Sequence, residues 1–361
     1  MLTTMDWILI SVILVVCTYS VVVTAVLVKY RRHRLNRLAY RQHTRAKSKA
    51  DKATDSTSQQ VADEALKLSQ TFQKFVPQQF IDHITKSGSD HIELGYADEE
   101  DVAILFCDIR GFTGLSERMR PQELMGFLNS YFQRMNKPIH ENRGFIDKFI
   151  GDAMMALFDH PGGNAEDKAI DAINAAMDLR KALELYNIRR IRKGYVPINV
   201  GVGIHYGPVV MGTVGSDDRM DTTVIGDSVN IACRLESLAP KYGADIIVSA
   251  QVLEAMGDKF PIRTRLLDWV RVKGREAPIE IYEVISHLPH KEQEKRFSVQ
   301  PKIAAGLACR INKEWETAIA HFEAALAIFP QDSLAKHHID VCRIYQSMLL
   351  PVDWDGALTI Q

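Results

Sequence analysis

The stretch Phe145–Phe158, FIDKFIGDAMMALF, restricts the fold more than any other part of the chain. Two apolar runs of strand length flank Gly151, and glycine is the residue that lets a chain reverse tightly between strands. The segment therefore reads as two strands joined at Gly151 and packed on a core. Lys148 and Asp152 sit inside it, four residues apart. Charged groups in a buried strand are costly unless something compensates them. The run VAILFCDI poses the same problem, because a buried strand there ends on Asp108.

The surrounding pattern extends this reading. Helical periodicity marks PQELMGFLNSYFQRMNKPIH, Ala165–Leu185 and SVNIACRLESLAP, the last opening just after Gly226. PINVGVGIHYGPVVMG reads as a glycine-broken pair of strands, and IIVS and RTRLLDWVRVKGREAPIEIYEVI supply the remaining ones. IRGFTGLSE, after Asp108, reads as a loop. Strands alternating with helices predict an α+β or α/β sandwich on one mixed sheet. With 361 residues and 46% hydrophobic content, the chain can bury one full core and has room for two units. A net charge of −1 excludes whole-protein attraction to nucleic acid. Five scattered cysteines without CxxC pairs exclude a zinc site or disulfide framework and read as reduced, mostly buried thiols.

The ends have their own character. Residues 1–6 are expected to be a short extracytoplasmic N-terminus, and 7–28 (WILISVILVVCTYSVVVTAVLV) is an uncharged run long enough for a transmembrane helix. The basic segment and linker at 29–60 begins KYRRHRLNRLAYRQHTRAKSK, with nine Lys/Arg and no acid, which predicts a cytoplasmic catalytic domain and contact with anionic membrane lipid. A cleaved signal peptide is disfavoured because the positive charges follow the apolar run. The expected localisation is thus a single-pass protein of the plasma (bacterial inner) membrane. Val61, Leu68, Phe72 and Phe75 give 61–95 a coiled-coil-like stripe, a signalling helix leading into a domain at 96–288. At 295–349, Trp315, Ala318, Phe322, Ala325, Leu326 and Pro330 match one tetratricopeptide-type hairpin or, equally, any amphipathic helix pair; a protein partner could dock there. Residues 350–361 form a tail.

No Walker A signature is present, and Gly201, Gly203 and Gly207 lie in a strand pattern where close packing explains them. Asp108 and Asp152 are open to two readings on spacing alone: ligands of a divalent cation, or turn-forming aspartates.

Four segments in order alter that balance: FCDIRGFTGLSE, FIDKFIGDAMMALF, TTVIGDSVNIACRLES and VRVKGRE. Together they resemble the class III adenylyl/guanylyl cyclase catalytic domain over roughly residues 75–285, including the FVPQQF lead-in and the ELG before the first strand. The resemblance implies a ferredoxin-like, palm-like fold. It implies two Mg²⁺ or Mn²⁺ ions at Asp108, Asp152 and the carbonyl of Ile109. Backbone amides of Gly111, Phe112 and Thr113 would hold phosphate oxygens. Asn230 would orient the ribose and Arg234 would stabilise charge at the α-phosphorus; four apart, they share a helix face. Lys273 would hold the pyrophosphate end, with Arg219 a further phosphate contact. Lys148 and Thr223 match the purine-reading pair. A lysine donates to adenine N1 and a threonine oxygen accepts from N6, whereas guanine presents a donor at N1. ATP is therefore the implied substrate and 3′,5′-cyclic AMP the product.

One departure stands out. Many adenylyl cyclases carry aspartate where this chain has Thr223, and threonine marks another subgroup, common in bacteria. Guanylyl enzymes typically carry glutamate and cysteine at the two purine-reading positions. GGDEF-type residues of diguanylate cyclases are absent. The family forms its sites at a dimer interface, which implies a homodimer with Lys148 and Asp152 serving opposite sites; four extended residues span up to about 13 Å. The rivals are a guanylyl cyclase and a catalytically inactive membrane-anchored scaffold.

Overall fold

A computed structural model describes residues 64–68, 71, 77, 95, 97–216, 218–258, 260–272, 277–351 and 354–360. The segments at 1–6, 7–28 and 29–60, nearly all of 61–95, and Lys273 lie outside the described residues. Among the described residues no helix is long and apolar enough to cross a membrane. The expected single-pass plasma-membrane placement does not fit that finding and is corrected here, together with the lipid contact that depended on it.

The chain forms two units, one holding its residues up to Glu99 and Val210–Val224, the other Glu100–Val209 and Ile225–Gln361. Strands β1 (Ala97–Ile109) and β4 (Val200–Ser216) run through both. In the smaller unit, β5 (Arg219–Ile225) pairs with β4.

In the larger unit, β1 leads through a short helix α1 (Phe112–Ser116) into α2 (Pro121–Glu141), then β2 (Phe145–Ile150), β3 (Ala153–Phe158), α3 (Ala165–Arg192) and β4. This β-α-β-β-α-β run is the ferredoxin-like unit. Next come α4 (Asp227–Tyr242), β6 (Ile246–Ser249), α5 (Ala250–Met256), β7 (Thr264–Val272) and β8 (Ile279–Val284). Helices α6 (His290–Ser298), α7 (Gln300–Ile311), α8 (Trp315–Ile328) and α9 (Ser333–Gln346) precede a last short strand, β9 (Leu358–Ile360). The described strands order as β2-β3-β1-β4-β6-β8-β7-β9. Pairing is antiparallel at β1–β3, β2–β3, β6–β8 and β7–β8, and parallel at β4–β6 and β7–β9, so the sheet is mixed.

Strand alternation builds a core on each face. Ile246 and Val248 enter the core beneath α2 and α3, whereas Ile247 between them enters the core shared by α4 and α7–α9. Helix α2 presents Phe127, Tyr131, Met135 and Ile139 at four-residue spacing, a single apolar stripe. Helix α3 starts on a reciprocal cap, with the Asp167 amide donating to Asn164 Oδ1 at 2.8 Å and the Asn164 amide to Asp167 Oδ2 at 3.3 Å. Its alanines Ala169, Ala172, Ala175 and Ala176 are fully buried.

Several elements differ from the sequence expectation. From Val200 onward PINVGVGIHYGPVVMG belongs to one continuous strand, because its glycines admit a neighbouring helix without breaking the ladder: a Cβ on Gly203 would stand 2.2 Å from the Glu236 amide nitrogen of α4. IRGFTGLSE contains a one-turn helix, β5, α5 and β9 were not foreseen, and α6 begins ahead of the helical extension expected from residue 295. Of the cysteines described, Cys107 and Cys342 are buried, Cys309 is partly covered and Cys233 is exposed.

Candidate active site

The end of β1 and the β2–β3 turn bring two carboxylates together. Cys107 pairs with Met154 in the β1–β3 register, so Asp108, one residue on, and Asp152, two residues back, meet at the same end of the sheet. The hairpin closes with Ile150 paired to Ala153, leaving Gly151 and Asp152 as a two-residue loop. Gly151 takes φ 66°, a conformation that side chains rarely adopt.

The electrostatics of this pair are unfavourable in the bare protein. Asp152 Oδ2 is enclosed and has no hydrogen-bond partner. Burial first, then contact with the Asp108 carboxyl and its charge, push Asp152 up to about 8, against the pull of the backbone amides of Asp152 and Ile109. The Ile109 amide donates to Asp108 Oδ1 at 2.9 Å. An orphaned, enclosed carboxylate oxygen beside a second carboxylate fits a hard divalent cation, whose ligands are oxygens. No cluster of three or more His, Cys, Asp or Glu side chains with metal-binding geometry occurs among the described residues.

The loop after Asp108 is anchored by residues that sequence reasoning missed. The Arg110 amide donates to the Asn199 carbonyl at 2.9 Å, and its guanidinium donates to the Ala244 carbonyl and lies 3.5 Å from Asp245. Arg180 bridges to Asp245 at 2.8 Å and to Asn199 Oδ1 at 2.6 Å. Burial alone would raise Asp245, but His287, Arg180 and Arg110 outweigh it and hold the carboxyl below its usual range. Arg110 adjoins the Asp108–Ile109 pair in sequence, and that adjacency was the only available signal. Gly111 caps α1, so the amides of Phe112 and Thr113 are the first of that helix and have no intrahelical acceptor.

Helix α4 carries Asn230, exposed, and Arg234, half-buried, one turn apart. Glu236, two residues beyond Arg234, was not singled out from sequence. Burial pushes it up to about 7, the Asp108 charge adds to this, and Arg110 opposes it. The effect of the Asp108 charge on Glu236 sets α4 and the end of β1 around one electrostatic site.

Lys148 lies on β2, opposite Met155, with a bulge between Ile146 and Lys148 that gives Asp147 its own place in the strand. The Asp147 side chain is only 2% exposed and lies 3.4 Å from the Lys148 ammonium, a partner that the DK dipeptide concealed. Lys148 and Asp152 thus share one hairpin, on a strand and in its turn respectively. Arg219 and Thr223 lie on β5 in the smaller unit.

Comparison with known proteins matches this arrangement to the adenylate and guanylate cyclase catalytic domain over residues 95–286. An adenylate cyclase of Anabaena cylindrica is 46% identical over 219 residues, covering 59% of this chain and 42% of that protein. The terminal-differentiation-specific adenylate cyclase of Dictyostelium discoideum is 34% identical over 295 residues, covering 81% of this chain and 14% of its own length. The chain thus spans less than half the length of these curated relatives. A bacterial light-regulated adenylyl cyclase shares the fold, with a TM-score of 0.54 at 23% identity over 67% of this chain and 68% of that one. On the match over residues 95–286, the chain belongs to the adenylate and guanylate cyclase catalytic-domain family.

Proposed function

We propose that the protein is an adenylyl cyclase that converts ATP to 3′,5′-cyclic AMP and pyrophosphate. The ribose 3′-oxygen attacks the α-phosphorus in line; the bond to the bridging oxygen of the pyrophosphate breaks, and the 3′-hydroxyl proton leaves. The observation that carries this reading is the pairing of Asp108 with Asp152, whose enclosed Oδ2 lacks any donor. Two Mg²⁺ or Mn²⁺ ions held by Asp108, Asp152 and the Ile109 carbonyl would supply Lewis-acid stabilisation of the 3′-oxygen and the triphosphate.

The chain's own residues do the positioning. Arg234 presents a fixed cation to charge developing at the α-phosphorus, and Asn230, one turn away on α4, orients the ribose. Amides of Gly111, Phe112 and Thr113 receive phosphate oxygens, with Lys273 and Arg219 as cationic partners of the polyphosphate. Lys148 donates to adenine N1 and Thr223 accepts from N6, so the base reader favours ATP over GTP. The adenylate cyclase names of the Anabaena and Dictyostelium relatives support the same substrate.

In this reading two chains assemble so that Asp108 and Asp152 of one face Lys148, Asn230 and Arg234 of the other, giving two complete sites per homodimer. The tetratricopeptide-like reading of α7 and α8 is supported by full burial of Ala318, Phe322 and Ala325.

The test uses the full chain as wild type and as Asp108→Ala, each supplied with ATP or GTP and Mn²⁺ or Mg²⁺. Cyclic AMP from wild type with little cyclic GMP is expected. Asp108→Ala should lower turnover roughly 10³-fold, the several kcal/mol that such metal-centred stabilisation supplies. Cyclic GMP as main product would establish the guanylyl reading, and no product from a folded dimer with either nucleotide would bring the scaffold reading, or a missing activator, to the front.

A further inference from the structure

The C-terminal helices, which the sequence offered as a docking surface, have an occupant inside the protein. Their inner face closes on α4: Ile231, Leu235, Leu238, Ala239 and Tyr242 share one core with residues of α7, α8 and α9. Within that core lies a polar cluster without solvent contact. Asp268 of β7, Arg310 of α7 and His338 of α9 are each 0% exposed, and Tyr242, the last residue of α4, is 1% exposed.

The cluster is satisfied apart from Arg310 Nε, which is enclosed and has no hydrogen-bond partner. Arg310 grips Asp268 with both terminal nitrogens, Nη1 at 3.1 Å from Oδ2 and Nη2 on Oδ1. The Trp269 amide donates to Asp268 Oδ1 at 2.8 Å, and the Tyr242 hydroxyl donates to Oδ2 at 3.0 Å. His338 Nε2 donates to the Leu267 carbonyl at 2.9 Å, which leaves Nδ1 as the acceptor for Arg310 Nη1 at 3.2 Å. The second Arg310 nitrogen also reaches the Gly356 carbonyl at 3.1 Å, and so ties in the tail that forms β9. Arg310, the Tyr242 hydroxyl and the Trp269 amide come from three different elements, yet all donate to one carboxylate.

Helix α4 is tied to β4 at its start, where Ser228 Oγ donates to the Pro208 carbonyl at 2.8 Å, and is held again at two points further along. Its middle rests on β4 through Gly203, where no side chain fits, and its end is tied to Asp268 through Tyr242. A helix held at two points along its length cannot rotate about its axis without breaking one of them. Arg234 and Tyr242 are eight residues apart, about 12 Å of helix. The rotation of that rod sets where Asn230 and Arg234 point.

We infer that Tyr242 is a positioning residue for the reaction, held by the Asp268–Arg310–His338 cluster so that it fixes the rotation of α4 and the directions of Asn230 and Arg234. This inference rests on the roles given to those two residues above. The C-terminal helices then belong to the catalytic apparatus, and their inner surface is filled by the chain's own helix.

The test compares the full chain as wild type, as Tyr242→Phe and as the paired neutral replacement Asp268→Leu with Arg310→Met. Tyr242→Phe deletes one hydroxyl and leaves the Asp268–Arg310 pair intact. The paired variant removes both buried charges at once, a change that proteins often tolerate or gain stability from. Cyclic AMP formation is measured with Mn²⁺ well below the melting temperature of each variant. Tyr242→Phe is expected to lower kcat about ten-fold, since a misplacement near 1 Å can cost up to about 10²-fold. KM for ATP should stay within about two-fold, as for a loss confined to the transition state. The paired variant should show the same kcat loss, and combining it with Tyr242→Phe should add nothing further. Wild-type kcat in both folded variants, or a KM rise with kcat unchanged, would overturn the positioning role. A wild type that makes no cyclic nucleotide would instead remove the roles of Asn230 and Arg234, and this inference with them.

Discussion

Asp152 and Asp268 are both shielded aspartates on or beside strands of the same sheet, and their carboxyls are driven in opposite directions. Asp268 receives donors from Arg310, Tyr242 and the Trp269 amide. Burial alone would raise it, but Arg310 above all holds it below the usual carboxylate range. Asp152 is covered as well, yet its near neighbour is another carboxylate and its Oδ2 has no donor, so it rises to about 8. Burial is common to both; the counter-charge is not. Where the fold provides the counter-charge, the aspartate joins core to core. Where it withholds one, the aspartate is left to hold a proton or, in the proposed reading, to take a cation from outside.

The largest effect that can break this contrast lies at Asp268. Asp268→Ala would strand the buried Arg310 guanidinium, at a cost of about 3–5 kcal/mol. At roughly 2–4 °C per kcal/mol for a domain of 150–250 residues, thermal unfolding should move down by about 6–20 °C. Asp152→Asn should do the reverse in metal-free protein at pH 8. It removes the repulsion with Asp108, a gain of about 1–2 kcal/mol after allowance for partial solvent screening. If both substitutions shift the melting temperature the same way, the two aspartates do not differ as described.

The pH dependence sharpens the contrast. The folded-state value of Asp152 is raised, so the native protein binds the proton more tightly than the unfolded chain does between about pH 4 and 8. Its contribution to stability is complete below the unfolded value and is lost as pH rises through about 8. Metal-free protein should therefore lose melting temperature across that interval. Mn²⁺ should restore it at pH 8 and do little at pH 5, because the cation must displace the proton. Asp268 gives the opposite sign: its lowered value yields stability that is lost only as pH falls below the ordinary carboxylate range. Differential scanning calorimetry at pH 5, 6.5 and 8, with and without Mn²⁺, separates the two. A cation shift of equal size at pH 5 and 8 would remove the link between Asp152 protonation and metal binding.

The two regions were also unequally legible in the sequence. The runs VAILFCDI and FIDKFIGDAMMALF displayed their strands because each is short, apolar and bounded, and the carboxylates stood out against that background. Asp108 and Asp152 could be singled out because acids inside apolar strands are anomalous. Asp268 sits equally deep in LLDWV but was not singled out, since its partners lie 42 residues away at Arg310 and 26 residues away at Tyr242. No periodicity encodes a pairing of that kind. Strand β5 escaped because RMDTTVI is too polar to look like a strand, and β9 because three residues gain strand character only from the register with β7. The glycines of β4 were read as allowing close packing, which Gly203 does, but were misread as a break, because the helix they admit is invisible until it packs.

The smallest predicted effect tests whether the hairpin turn itself belongs to the proposed metal site. Gly151 has φ 66°, and a Cβ added there would meet nothing within 4 Å. Gly151→Ala therefore introduces no clash, and its whole cost is the left-handed backbone, about 1–2 kcal/mol. Melting temperature should fall by roughly 2–8 °C in metal-free protein. Asp152 follows Gly151 directly, so any relaxation of the turn to a more ordinary φ swings the carboxylate away from Asp108. The Mn²⁺-induced rise at pH 8 should then shrink as well, which a purely local backbone cost would not cause. A fall in stability with the cation shift intact would mean that β3, through the Cys107–Met154 register, places Asp152 unaided. Loss of both would assign that placement to the turn, and would make Gly151 to Asp152 what Arg310 is to Asp268: the neighbour that decides what the carboxylate can do.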